Sequence, residues 1–173
     1  FFSSRRRHTR FRNVTGVQTC ALPILDGRGR DLYSERFIHG EIFKARPDVN
    51  AVIHTHAPPL IPFAASKVPL RPMYHRAAFV AQGIPVFDIR DGFGMTDMLI
   101  RNSAHGSALA KVLADKPAAL MRSHGATIVA PSLPRLVGRS VFLVKNATLQ
   151  QQAIDRKSTR LNSSHVSESR MPS

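Results

Sequence analysis

The 173-residue sequence predicts a single α/β domain built as a sheet covered by helices on its faces. Two observations carry this reading. Hydrophobic side chains make up 43% of the chain, which is enough for one core at this length. From residue 35 to residue 154, segments with helically spaced apolar side chains alternate with short apolar runs bounded by Gly, Pro, Asn or Asp. Strand direction is not readable from that alternation.

Residues 25–31 (LDGRGRD) form a Gly- and Asp-rich turn, after which Ser34 stands where a hydroxyl could cap a helix beginning at Glu35. Phe37, Ile38, Ile42 and Phe43 recur at helical intervals, and the helix should stop before Pro47. Residues 49–56 read as a strand. The proline-punctuated stretch 58–72 holds one short helix around residues 60–65, and residues 85–89 are an apolar run fit for a buried strand. Asn102 or Ser103 caps a helix carrying Leu109, Val112 and Leu113. Residues 118–121 and 127–129 are two strands separated by Arg122-Ser123-His124-Gly125, where the glycine permits a tight turn. From Ser132, with Pro134 in the first turn, a long helix runs to about Ile154.

The formal charge of +14 would ordinarily point to nucleic acid. The ends of the chain weaken that inference. Residues 14–24 (VTGVQTCALPI) resemble the translation of a common short-read sequencing adapter, and residues 155–165 (DRKSTRLNSSH) are the translation of its opposite strand. Residues 4–10 and 169–173 are related in the same way, with three residues left between the blocks at each end. Residues 1–24 and 155–173 are therefore expected to be adapter-derived, leaving 25–154 as a partial domain. The two end segments carry half of the charge, and the remainder has 16 basic and 9 acidic residues. A moderately basic domain suits a small anionic substrate and calls for no nucleic acid. Cys20 falls in an end segment, so 25–154 holds neither a disulfide framework nor a thiolate. No run of about 18 apolar residues signals a membrane span, and a cytoplasmic location is expected.

His54-Thr55-His56 is the most informative local feature. In a strand, residues i and i+2 project from one face, which brings two imidazoles together at one sheet edge. A catalytic zinc site takes three protein ligands and keeps one position open. His124, beside Gly125 at a strand end, could supply the third. The alternative for such a pair is surface or hydrogen-bonded core histidines.

The segment SERFIHGEIFKARPDVNAVIHTH, with RSHGATIVAPS further on, resembles the class II aldolase/adducin family across residues 25–154. The resemblance implies Glu35 as catalytic acid/base, and His54, His56 and His124 as ligands to a divalent metal: zinc, with manganese or cobalt as alternatives. It also implies a three-layer, helix-covered, mainly antiparallel sheet, and a homotetramer with sites at subunit contacts. Family members ordinarily carry a helix and strands ahead of the position matching Leu25, so an N-terminally truncated domain with an unpaired sheet edge is expected. Without the resemblance, Glu35 reads as a first-turn glutamate favoured by the helix dipole, and Glu41 reads as solvated or paired. His75 is open between a role near substrate and packing, while His39 and His105 read as structural or exposed. Arg71, Arg90 and Arg122 are open between binding a substrate carboxylate and ordinary surface charge.

The stretches ERFIHGEIFKARPDVNAVIHTHAPPLIPFAAS, VPLRPMYH and GIPVFDIRD look most like the branch that decarboxylates aromatic ring-cleavage products such as 2-hydroxy-3-carboxymuconate semialdehyde. The expected activity is therefore that of a metal-dependent carbon–carbon lyase acting on a small anionic carbonyl compound through a metal-stabilised enolate. A sugar-phosphate aldolase or epimerase is the alternative within the family. Tyr33-Ser34 departs from the paired small hydroxyl residues that such enzymes use for phosphate. A non-catalytic adducin-like interaction module is the alternative of another class.

Overall fold

The computed structural model describes residues 2–4 and 33–168, with side chains for 33–156. The turn at 25–31, Cys20 and most of the 1–24 segment lie outside the described residues. The elements in chain order are β1 (Phe2–Ser4), α1 (Arg36–Ala45), β2 (Ala51–Thr55), a 3-10 turn (Pro58–Leu60) running into α2 (Ile61–Ala65), a 3-10 helix (His75–Val80), β3 (Val86–Phe87), α3 (Arg90–Phe93), α4 (Ser103–Leu113), β4 (Ala118–Met121), β5 (Gly125–Ala130) and α5 (Leu133–Glu168). They form a five-stranded sheet in the order β1-β2-β5-β4-β3. Every neighbouring pair is antiparallel except β3 with β4.

Side-chain alternation along the strands divides the core in two. Ala51, Ile53, Leu120, Ala126 and Ile128 pack on one face with Leu60 and Phe63 and with Leu136 and Leu143 of α5. Val52, Ala119, Met121 and Val129 pack on the other with Ile38 and Ile42 of α1 and Leu109 and Leu113 of α4. Both faces are covered, so the strands read as continuous apolar runs, and β4 and β5 are buried at every position. Each fully buried Leu or Ile contributes roughly 1.5–3 kcal/mol. The architecture is the three-layer, mainly antiparallel α/β sheet that the sequence implied.

Several local expectations differ in detail. The outer edge of β2 is bonded to β1, with Phe2 opposite Ile53 and Ser4 opposite Ala51, so its backbone groups find partners there. Helix α1 starts after Glu35, which makes no side-chain cap, because its carboxylate is turned onto other partners described below. Asn102 does cap α4, its Oδ1 accepting from His105 N–H at 2.9 Å. Val112 is 37% exposed and lies off the buried stripe of Leu109 and Leu113. The 85–89 strand shortens to the two residues of β3, because Ile89 already turns into α3. Helix α5 continues past Ile154 to Glu168.

Candidate metal centre

Two strand ends and one helix start build the site. His54 and His56 share a face at the end of β2, and the antiparallel register sets His54 opposite Thr127 of β5. The turn joining β4 to β5 brings His124 back beside them. Ser123 takes the left-handed conformation in this turn, φ 53°. Gly125 has a different role from the tight turn expected of it: a Cβ there would meet the Thr55 carbonyl oxygen at 2.2 Å. The absent side chain lets β5 close on β2 where the histidines converge.

His54 Nε2 lies 2.8 Å from His56 Nε2, and His124 Nε2 lies 2.9 Å from that same atom. His54 Nδ1 donates to the Ala126 carbonyl at 3.2 Å, and since a carbonyl only accepts, the His54 Nε2 lone pair is turned inward. One N–H on His56 Nε2 could satisfy only one of its two neighbours. A cation among the three nitrogens satisfies all of them, which is the fit expected of a divalent metal site.

Glu35 completes the cluster, and the four donor atoms all lie within 4.8 Å of one another. Its Oε1 accepts from Ile100 N–H at 3.1 Å and lies 3.5 Å from His124 Nε2, while Oε2 lies 3.3 Å from His54 Nε2 and 4.0 Å from His56 Nε2. Burial opposes ionisation of the Glu35 carboxyl. When a proton rather than a cation sits on Nε2 of His124 and His54, their hydrogen bonds, the Ile100 N–H and the charge of His54 outweigh it and hold the group well below the usual carboxylate range. Burial, then the charges of His54 and His124, lowers the His56 pKa and favours the neutral ligand form. Burial, with the charge of Glu35 and a hydrogen bond to it, pushes the Tyr33 phenol up and keeps it protonated. Glu35 and His54 are buried and His56 is 58% exposed on its side chain, so the cluster opens to solvent on the His56 side. Buried donor atoms with solvent access on one side would suit a metal site that keeps one position open.

The other sequence candidates are distributed elsewhere. Leu70 and Ala77, which bracket Arg71 and His75, pack on the α5 face of the sheet, opposite α1. Arg71 N–H donates to Gln150 Oε1 of α5, and His75 is exposed. His39 is buried, and neither ring nitrogen has a hydrogen-bond partner among the described residues. His105 Nδ1 donates to the Leu99 carbonyl and its ring packs on Phe93. Glu41 pairs with Lys44. Arg90 and Arg122 meet at Asp88, a residue that sequence reasoning did not single out. The Ile100 and Ala126 backbone groups that orient Glu35 and His54 were missed too, because main-chain donors and acceptors carry no sequence signal.

The profile of the Class II Aldolase and Adducin N-terminal domain matches residues 11–151. The chain belongs to this family. Among curated class II aldolase/adducin relatives, Decarboxylase tropJ of Talaromyces stipitatus is 36% identical over 129 residues, which cover 68% of this chain and 48% of that protein. The 3,4-dihydroxyphthalate decarboxylase of Arthrobacter keyseri is 28% identical over 66% of this chain and 46% of its own length. The chain thus spans about half the length of these relatives. Among solved structures, an aldolase II superfamily protein from Pseudomonas syringae matches with TM-score 0.61 at 22% identity, over 72% of this chain and 47% of that one. The L-fuculose-1-phosphate aldolase of Thermus thermophilus matches with TM-score 0.58 at 20% identity, over 72% of this chain and 62% of that one. At these identities the structural likeness shows the fold of this class II aldolase/adducin domain. Among the described residues, no helix is long and apolar enough to cross a membrane.

Proposed function

We propose that this domain is the catalytic part of a metal-dependent carbon–carbon lyase that decarboxylates a small anionic carbonyl compound, of the carboxylated 2-hydroxymuconate semialdehyde type. The observation that carries the reading is the convergence of three imidazole Nε2 atoms on one point beside a buried, ionised carboxylate. His54, His56 and His124 would hold the ion, with zinc favoured and manganese or cobalt accepted by the same donor set. When bound, a divalent cation supplies Lewis-acid stabilisation of the negative charge left on substrate oxygen as the carbon–carbon bond breaks.

The protein's own groups do the rest. The Ile100 N–H fixes Glu35 Oε1, which leaves Oε2 to carry the proton. As the carboxyl carbon departs as carbon dioxide, the bonding pair stays on the substrate carbon it leaves, and Oε2 delivers a solvent-derived proton to that remaining carbon. The Ala126 carbonyl keeps His54 in the tautomer that presents Nε2. The curated relatives described above are named as decarboxylases, which favours decarboxylation over retro-aldol cleavage. Assembly into a homo-oligomer is part of the same reading, supported by the exposed stripe of Leu133, Val137 and Val141 on α5.

The reading is tested by following carbon dioxide release from a 2-hydroxy or 2-oxo diacid by the zinc-loaded protein and its Glu35→Gln variant. Turnover lost in a variant that keeps its metal supports it. Equal turnover in the two proteins removes Glu35 from the chemistry.

A further inference from the structure

Strands β3 and β4 run parallel and end side by side, with Phe87 opposite Met121. The next residues in each strand, Asp88 and Arg122, therefore emerge as neighbours, and His124 follows two positions after Arg122. Arg122 Nε lies 3.0 Å from Asp88 Oδ2, and Arg90 grips the same carboxylate with Nε at 2.9 Å from Oδ1 and Nη2 at 2.7 Å from Oδ2. The Arg90 backbone N–H is a further donor to Oδ1, at 3.1 Å. The guanidinium of Arg90, first by its hydrogen bond, brings the Asp88 pKa down to about 2.

Four donors leave Asp88 saturated, and two guanidiniums share its single charge. Arg122 Nη1 is spent on the Ala65 carbonyl at 3.0 Å. Among the described residues, Arg122 Nη2 and Arg90 Nη1 have no hydrogen-bond partner. Asp91 is exposed and bonds to neither guanidinium among the described residues. Both arginine side chains reach solvent, 44% exposed for Arg90 and 30% for Arg122, while Asp88 beneath them is 13% exposed. Arg122 and His124 border the same closely packed seam, over the buried side chains of Phe87, Ile89 and Met121. Open guanidinium donors two positions along the chain from a histidine of the cluster match a carboxylate.

We propose that Arg90 and Arg122, held together by Asp88, form a carboxylate-recognition element next to the metal centre. The substrate is then a dicarboxylate, with one acid end at the histidine cluster and the second carboxylate on this pair. The inference rests on the metal-dependent reading given above and adds the substrate class and the residues that select it.

Calorimetric titration of the zinc-loaded full chain tests it with four unreactive probes: benzoate and the 1,2-, 1,3- and 1,4-benzenedicarboxylates. At least one dicarboxylate should bind tenfold or more tightly than benzoate, the preferred isomer reporting the spacing between the metal and the arginines. Arg90→Gln and Arg122→Gln should each remove that preference while zinc stoichiometry is unchanged. Because Arg122 also braces the Ala65 carbonyl, Arg122→Lys with an unchanged melting temperature serves as the folded control, and it should keep only part of the preference. Dicarboxylates binding no better than benzoate, or a preference that survives in folded Arg90→Gln and Arg122→Gln proteins, would overturn the inference even with zinc bound. An arginine-dependent preference in a protein that takes up no zinc would instead uphold the anion site and remove the metal reading.

Discussion

Gly125 sits directly against Thr55: a Cβ on the glycine would lie 2.2 Å from the Thr55 carbonyl oxygen and 3.2 Å from His56 Cα. Both obstacles are backbone, so no side-chain rotation relieves them. Gly125→Ala must push β5 away from β2 at the point where His54, His56 and His124 meet. We expect a loss of about 2–3 kcal/mol in urea denaturation, in the range of strained or overpacked substitutions. Zinc affinity, measured alongside, should fall at least tenfold. Wild-type stability in this variant would contradict the close approach.

His39 gives a pH signature at higher pH than the Glu35 carboxylate. Burial, then the charge of His54, lowers its pKa from 6.5 to about 4. Below 6.5 the unfolded chain takes up this proton and the folded chain does not, so stability declines as pH falls from 6.5 towards 4, by on the order of 3 kcal/mol. His39→Phe should flatten the denaturation midpoint across that window. It should also leave stability at pH 7.5 unchanged or higher, since two unpartnered buried nitrogens are removed.

Glu35 acts in the lower part of the same acid range. Its folded pKa is depressed, so its contribution to stability is present above the unfolded value of 4.5 and is lost as pH falls below it. Glu35→Gln should therefore show a shallower acid limb below pH 4.5 than wild type. At pH 7 it should lower decarboxylation about 100- to 10,000-fold, the usual loss for a general acid/base.

Asn102 caps α4, which packs heavily on α1, the helix that presents Glu35. Asn102→Ala removes the acceptor of the His105 N–H and should cost about 1 kcal/mol in denaturant melts with zinc stoichiometry unchanged.

The covered sheet was legible because apolar runs and helical spacing are properties of side chains. Residues 118–121 and 127–129 read as strands for that reason, and Asn102 or Ser103 read as a cap from side-chain chemistry, of which the structure uses Asn102. The His-x-His pair read as a shared face because a strand repeats every two residues. His124 lies 68 residues beyond His56 and was offered as a third ligand only from its place beside Gly125 at a strand end, while Glu35 was tied to the set by the family resemblance. What could not be read was tertiary: whether Gly125 served a turn or a close approach, that the 85–89 run would bend into α3 after two strand residues, and that Asp88 would gather Arg90 and Arg122. Each depends on which strand lies alongside, and the parallel pairing of β3 with β4 has no local pattern.

Metal content tests the central claim most directly. The full chain, purified without added chelator and dialysed against micromolar zinc, is analysed by elemental mass spectrometry beside the His54→Ala, His56→Ala double variant. One zinc ion per chain in the wild type and less than a tenth of that in a folded double variant is the predicted result. A well-folded wild-type protein that retains no divalent metal would contradict the metal centre and the lyase chemistry built on it.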